Sequence, residues 1–188
     1  MRALRGWWWR RARETDPARF VFVDESGANT AMTRLYGRAP PGERVAGAVP
    51  HKGWRTLTML GALRLDGLAA AFTVDAATDA EVFRGFVLAA LVPVLRQGDV
   101  VAWDGLSAHG AAGVGPAIEA AGAELRPLPP YSPDLSPIEP MWSKVKQCLR
   151  DEAARTVRAL RGAAAEAFAA VTAADAHGWF EKCGYCVH

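Results

Sequence analysis

Apolar residues in the first part of the chain cluster in short β-prone runs. The pattern predicts three strands there, at residues 18–23, 55–63 and 69–74. The first run stops at a polar, turn-forming stretch that begins with Asp24, so we expect this carboxylate at the tip of the first strand. A connection rich in Pro and Gly, residues 37–53, precedes the second run and encloses a weak strand prediction at residues 44–48.

Helical spacing of apolar residues begins after Asp79. This aspartate is a suitable N-cap, and Pro93 is expected to kink or end the helix that follows it. Beyond that helix the pattern predicts a strand, a helix and a strand, at residues 99–104, 113–121 and 124–128. The first of these strands ends in Asp104, which repeats the arrangement at Asp24.

The last third of the chain is predicted to be helical. A proline-stiffened loop, residues 129–137, leads into a helix with an apolar stripe, and alanine-rich helices follow from about Thr156. The stripe consists of Ile138, Met141, Trp142, Val145 and Leu149. Strands that alternate with helices indicate parallel βαβ units, whereas the first three strands are joined by turns and can be antiparallel. The predicted fold class is α/β, with a mixed central sheet covered by helices on both faces, which is the ribonuclease-H-like arrangement.

Composition is that of an ordinary globular protein. Of 188 residues, 51% are hydrophobic and 22% are charged, which suits one domain and excludes disordered and collagen-like classes. Apolar runs stay below the ~18 residues of a membrane helix, and three cysteines fit a reducing compartment. We therefore expect a cytoplasmic protein with no membrane partner. Cys183 and Cys186, with His177 and His188, crowd one end of the chain, so we predict no zinc site.

The net charge of +2 conceals two basic clusters. Residues 1–19 hold six arginines against two acidic residues, and a second cluster lies within residues 144–161. Such clusters either neutralise nucleic-acid phosphates or form solvated helix faces, and charge alone leaves both interpretations open. We divide the chain into a basic, Trp-rich segment, residues 1–17, and a main domain, residues 18–188. The tryptophans at residues 7–9 are expected to pack on the main domain or on an absent neighbour rather than to stack on bases.

Three carboxylates occupy positions that the predicted topology brings together. Asp24 and Asp104 end strands, where open α/β sheets form ligand crevices, although Asp is also a common cap residue. Glu139 begins a helix, and the sequence SPIE at residues 136–139 also fits a capping box. Carboxylates gathered at a sheet end repel one another, which raises their pKa values unless cations are present. Mg²⁺ is the expected cation because it binds through a few carboxylates and substrate phosphates.

Several segments resemble the catalytic domain of bacterial insertion-sequence transposases. They are FVDESG at residues 22–27, WRTLTMLGAL at residues 54–63, Trp103 and Asp104 with His109, and LPPYSPDLSPIE at residues 128–139. The group is the mariner-related part of the DDE superfamily, often called the insertion-sequence 630 family, and it shares the interval of 34 residues between Asp104 and Glu139. The resemblance covers about residues 18–186, and its most specific part is the proline-rich block.

The resemblance implies that residues 18–188 are a ribonuclease-H-like DDE catalytic domain. Asp24, Asp104 and Glu139 would form its triad and bind two Mg²⁺ or Mn²⁺ ions. Asp24 would bridge both ions, while Asp104 holds one and Glu139 the other. The ions would activate water to cut a phosphodiester at each transposon end, and then activate the freed 3′-hydroxyl to attack target DNA.

Further residues are expected to contact DNA, and two positions depart from the family pattern. Lys144 and Lys146 are candidate phosphate contacts, with a solvated helix face as the equal alternative. His109 is either a site residue near the metals or a packing residue. The family usually has Asn after the second aspartate and a basic residue after the histidine, where this chain has Gly105 and Gly110. A catalytically impaired remnant that binds DNA or a partner subunit is therefore a second hypothesis. The proline-rich block argues against a third, a nuclease for RNA–DNA hybrids.

The resemblance also implies partners. Transposases of this group usually carry helix-turn-helix modules ahead of the catalytic domain, and residues 1–17 are too few to form them. We hypothesise that a separately encoded subunit or a frameshift fusion supplies recognition of the transposon ends. The expected partners are transposon-end DNA, target DNA and further copies of the chain, because two ends must be paired.

Overall fold

The computed structural model describes residues 2–77, 79–104 and 112–187. The strands are β1 (Phe20–Asn29), β2 (Thr56–Arg64), β3 (Gly67–Val74), β4 (Val100–Ala102) and β5 (Glu124–Leu125). The α-helices are α1 (Arg2–Arg13), α2 (Ala80–Phe86), α3 (Val114–Ala120), α4 (Ile138–Glu152), α5 (Val157–Ala169) and α6 (Ala173–Lys182). Gly105, His109, Gly110 and His188 lie outside the described residues.

The strands form one mixed sheet in the order β3-β2-β1-β4-β5. β1 pairs antiparallel with β2, which pairs antiparallel with β3, whereas β1 pairs parallel with β4 and β4 with β5. The predicted division into an antiparallel and a parallel part is confirmed. β1 is the central strand, and it joins the two parts.

β1 does not end at Asp24. Its pairing with β2 runs from Phe22 to Asn29, whereas its pairing with β4 covers only residues 20–22. Asp24 therefore lies inside a strand, at the point where β1 loses its neighbour on the β4 side. The expectation of a strand tip was wrong because backbone pairing with β2 holds the polar residues after Asp24 in the sheet despite their low strand propensity.

Alternating side chains of β1 divide the core into two parts. Phe20 and Phe22 pack with buried residues of α1, α4, α5 and α6. Val21 and Val23 point to the other face and pack with buried residues of α2 and α3. Helices therefore cover both faces of the sheet, as predicted.

Local signals account for several boundaries. The Asp79 side chain accepts a hydrogen bond from the Val82 amide at 2.8 Å and so caps α2. After α2 the helix widens into a π turn at Val87–Leu91 and ends in a 3-10 turn at Val92–Val94, because Pro93 has no amide hydrogen to continue it. Residues 44–48, predicted as a weak strand, are exposed and form no strand in the described structure, since no sheet edge is paired with them.

The N-terminal helix is attached to the core. Trp8 is fully buried, and its indole Nε1 donates a hydrogen bond to the Tyr185 hydroxyl at 3.2 Å. Trp7 stays 43% exposed. Trp9 is half-buried against the same core, with its ring 5.4 Å from that of Tyr185. Two of the three tryptophans thus pack on the main domain in the expected way, while the functional division at residue 17 stays a prediction. In the part of the chain that the structure describes, no helix has the length and apolar character to cross a bilayer.

Candidate functional site

A cleft of about 420 Å³ opens beside β1. Its lining includes Asp24, Asp104 and Glu139, together with the proline-rich residues 128–133. The three carboxylates come from β1, from the segment after β4, and from the first turn of α4. The tertiary structure therefore brings all three predicted site residues to one cleft.

Strand periodicity explains why the carboxylates share a face of the sheet. Asp24 continues the series of Phe20 and Phe22, which point towards α4. Asp104 likewise continues the series of Val100 and Ala102 on that face. The backbone pairing between β4 and β5 continues to Trp103, the residue before Asp104, since the Leu128 amide donates to the Trp103 carbonyl at 2.8 Å. With α4 packed on the same face, Glu139 lies beside the two aspartates.

Glu139 does not belong to a capping box. Pro137 is the N-cap of α4 and makes no side-chain cap hydrogen bond, so Glu139 is the second helical residue rather than the third. A capping box needs the glutamate at the third position, opposite a Ser or Thr N-cap. This expectation was wrong by one residue, and the exposed side chain of Glu139 lines the cleft instead.

The proline-rich wall of the cleft is held from two sides. The Arg5 guanidinium of α1 donates to Ser132 Oγ at 2.9 Å and to both carboxylate oxygens of Asp134, at 2.9 and 2.5 Å. From the C-terminal side, the Tyr185 hydroxyl donates to the Leu135 carbonyl at 2.7 Å. These anchors were not predicted, because contacts between residues far apart in the sequence leave no local pattern. Arg5 and Asp134 are 129 positions apart, and Tyr185 and Leu135 are 50 positions apart.

Electrostatics single out Asp24. Burial, chiefly, raises the pKa of its carboxyl to about 7, and the negative charges of Glu139, Glu25 and Asp104 raise this pKa further, against a hydrogen bond from the Glu25 backbone that lowers it. The neighbouring carboxylates therefore act on the Asp24 pKa in the direction predicted from the sequence, with burial as the larger cause. A cation entering the cleft would favour the ionised carboxylates.

The donor set suits a hard divalent ion. All three side chains offer carboxylate oxygens, the ligand type that Mg²⁺ takes, and their repulsion is relieved by positive charge. Within residues 2–77, 79–104 and 112–187, however, no three acidic, His or Cys side chains are drawn together into a metal-binding group. Asp24, Asp104 and Glu139 are the residues that would hold the ion.

Trp142, predicted only as part of the apolar stripe of α4, contacts one of the predicted site residues. Its indole Nε1 donates a hydrogen bond to Asp24 Oδ2 at 3.0 Å, while its ring is 3% exposed. The position one turn after Glu139 was the available signal, because residues three apart in a helix lie on neighbouring faces. Only the tertiary structure shows which atom the indole contacts.

The two lysines of α4 have different surroundings in the structure. Lys144 Nζ lies 2.5 Å from Asp175 Oδ2 of α6, in an ion pair within the chain. Lys146 is half-buried and follows Glu139 by seven residues, two helical turns, so it lies on the same face of α4 as Glu139. Their DNA contacts stay predictions, as does that of His109, which lies outside the described residues.

Comparison with known proteins identifies the family of the chain. The sequence model of the DDE superfamily endonuclease family matches residues 19–161, which include Asp24, Asp104 and Glu139. The chain belongs to this family. No curated protein sequence matches it.

Solved structures agree with the DDE assignment in their fold. The chain resembles the Mos1 transposase paired-end complex with left transposon end, at a TM-score of 0.76 and 18% identity, over 96% of this chain and 56% of that one. It also resembles the catalytic domain of Mos1 mariner transposase, at a TM-score of 0.65 and 15% identity, over 96% of this chain and 84% of that one. The predicted ribonuclease-H-like fold is confirmed. The chain spans little more than half the length of the transposase in the paired-end complex.

Proposed function

We propose that this DDE endonuclease domain is the catalytic part of a mariner-related transposase of the insertion-sequence 630 group, acting on DNA in the bacterial cytoplasm. It would cut phosphodiesters at transposon ends and transfer the ends to target DNA. The observation that supports this most is the convergence of Asp24, Asp104 and Glu139 on one cleft in which the pKa of Asp24 is raised to about 7. Such a site is incomplete without divalent cations.

The residues of the cleft have distinct tasks in this mechanism. Bound Mg²⁺ or Mn²⁺, two ions in the family pattern, would supply Lewis acidity at the phosphate and a more acidic water. Asp24, Asp104 and Glu139 would hold the ions, and Asp24, with a carboxyl pKa of about 7, would have to be ionised to act as a ligand. The proline-rich wall is fixed by Arg5 and Tyr185. A rigid wall keeps the phosphodiester in a constant position relative to the carboxylates.

DNA and further protein copies are the proposed partners. Lys146, on the same face of α4 as Glu139, is the first candidate for a phosphate contact, with His109 and Lys144 as further ones. Structures of similar fold include paired-end complexes of Mos1 transposase, which supports a homo-oligomer here. Recognition of the transposon ends would be the task of a helix-turn-helix module.

Metal-dependent DNA cleavage tests the proposal. Purified protein should nick supercoiled plasmid in Mn²⁺ or Mg²⁺, and Asp104→Asn should lower the rate at least about a hundredfold, since a lost metal ligand removes several kcal/mol of charge stabilisation in the transition state. Asp66→Asn is the matched control. This aspartate is exposed in the β2–β3 turn, 3.2 Å from Arg96, and its loss should leave nicking unchanged.

The outcomes separate the hypotheses. DNA binding without cleavage in either metal would favour the catalytically impaired remnant. Equal nicking by wild type and Asp104→Asn would show that the activity does not use the assigned carboxylates.

A further inference from the structure

The indole of Trp142 is a direct side-chain partner of Asp24. Its Nε1–H donates to Asp24 Oδ2 at 3.0 Å, and the ring is 3% exposed. An indole N–H donates one hydrogen bond and neither accepts one nor carries charge. The contact therefore occupies one lone pair of Oδ2 and leaves the negative charge of the carboxylate in place.

The chain makes room for this ring at one position. Gly61 of β2 lies directly opposite Asp24 in the antiparallel register. A Cβ at residue 61 would lie 3.1 Å from Trp142 Cη2 and 3.3 Å from Cζ2, closer than ordinary van der Waals contact. The absent side chain of Gly61 thus lets the indole lie against the sheet beside the carboxylate.

A second contact fixes the orientation of the ring. Phe168 of α5 meets Trp142 edge-to-face, with ring centroids 6.3 Å apart. The indole is thereby held between β2 and α5, so that its N–H has a constant direction. The direction of a donor with so little freedom determines how the accepting carboxylate is turned.

We propose that Trp142 is a positioning residue that orients the Asp24 carboxylate for a divalent cation, with Gly61 providing the space that this requires. The role rests on the proposed function, since it presupposes that Asp24 binds a metal ion. A neutral donor suits the task better than Arg or Lys, because a cation from the chain would neutralise Asp24 and compete with the metal. Hydrogen bonds to metal-binding carboxylates commonly change metal affinity about 10–100-fold.

The variant Trp142→Phe distinguishes the effect of the indole hydrogen bond on Asp24 from the effect of the ring on core packing. Phenylalanine retains an aromatic ring in the core but has no N–H. Titration of the whole chain with Mn²⁺ alone, followed by calorimetry, should show binding about 10–100-fold weaker than in wild type. Trp8→Phe is the matched control, because it removes a buried indole hydrogen bond to the neutral Tyr185 hydroxyl and should leave Mn²⁺ affinity unchanged.

Gly61→Ala gives an independent test that keeps the indole. The added methyl must displace the ring by a few tenths of an ångström, so Mn²⁺ affinity should fall to a value between those of wild type and Trp142→Phe. Gly162→Ala, where a Cβ meets no atom within 4 Å, is its control and should bind like wild type. In wild type, the ¹H–¹⁵N indole resonance assigned to Trp142 should also shift when Mg²⁺ is added, whereas that of Trp8 should not.

The results distinguish this role from the proposed function. If wild type binds Mn²⁺ and folded Trp142→Phe binds it equally well, the positioning role is wrong and the metal site stands. If wild type itself binds no Mn²⁺, the metal site and the positioning role both fail. Should Trp142→Phe not fold, unchanged affinity in Gly61→Ala overturns the proposal instead.

Discussion

Asp24, in β1, and Asp99, just before β4, are two aspartates with opposite surroundings. Asp99 is 0% exposed and accepts hydrogen bonds from Arg64 Nη1 at 3.0 Å and Nη2 at 2.5 Å. Asp24 accepts from a neutral indole, and the charges that act on it are those of Glu139, Glu25 and Asp104. A buried carboxylate paired within the chain is part of the fold, whereas one surrounded by other carboxylates needs a cation from outside.

The difference extends to the other partners of each residue. The Arg64 guanidinium also donates to the Val94 carbonyl at 2.9 Å, and the Arg96 amide donates to Asp99 Oδ2, so both charges of the buried pair are hydrogen-bonded. Removing one partner of such a pair leaves an uncompensated charge in the core. At Asp24 the uncompensated charge exists already, and removing it should have the opposite effect on stability.

The largest effect on stability is expected from replacing Asp99, the aspartate that is paired with Arg64. Asp99→Asn should lower the free energy of unfolding by about 3–5 kcal/mol, because Arg64 is then buried without a counterion. Urea denaturation followed by circular dichroism measures this change. Asp66→Asn, which removes an exposed partner of Arg96, should leave the denaturation midpoint in place. A loss for Asp99→Asn as small as that of the control would show that the buried pair does not stabilise the fold.

The next largest effect is expected at Asp24, where a substitution should raise stability, by an amount that depends on pH. The pKa of Asp24 is about 7 in the folded chain and near 4 when unfolded, so the folded state holds an extra proton between these values. The folded state therefore favours the protonated carboxyl of Asp24. Without metal, this favourable contribution to stability should be fully present below pH 4 and lost as the pH rises through 7. Asp24→Asn keeps an oxygen for the indole and should raise stability at pH 8 by on the order of 4 kcal/mol.

Urea midpoints measured from pH 4 to pH 8 in chelator test this expectation. The part of the decline due to Asp24 should be absent in Asp24→Asn. Adding Mn²⁺ at pH 8 should stabilise wild type but not the variant, because ligand binding to the folded state alone raises stability. Parallel pH profiles for the two proteins would contradict the repulsion inferred at the cleft.

The smallest effects concern the two lysines of α4. Lys144→Met should cost ~0.5 kcal/mol of stability, since its partner Asp175 and Lys144 itself stay about a quarter to a third exposed. Lys146→Met should leave stability unchanged but reduce the slope of log affinity for DNA against log salt by about one. Fluorescence anisotropy with a labelled duplex measures the slope. An unchanged slope for Lys146→Met would remove this lysine from the DNA interface.

Elements with local signals were predictable from the sequence. Asp79 caps α2 because its side chain reaches an amide three residues away, and Pro93 ends the helix because it lacks an amide hydrogen. β2 and β3 lie within two residues of their predicted bounds because continuous β-prone runs and a turn define them. Asp104 and Glu139 were identified from their interval and from the proline-rich block, which are also features of neighbouring residues in the sequence.

Contacts between distant residues were decided by the tertiary structure alone. The sequence by itself determined the mixed sheet, the helices on both faces and which three carboxylates line one cleft. The extension of β1 beyond Asp24 depended on β2, and the bond from Trp142 to Asp24 joins residues 118 positions apart. The pairing of Arg64 with Asp99, rather than of a cation with Asp24, likewise depends on which side chains packing brings together. The physical reason is that burial and opposing charge set the energy of an ionised group, and neither is defined until the chain has folded.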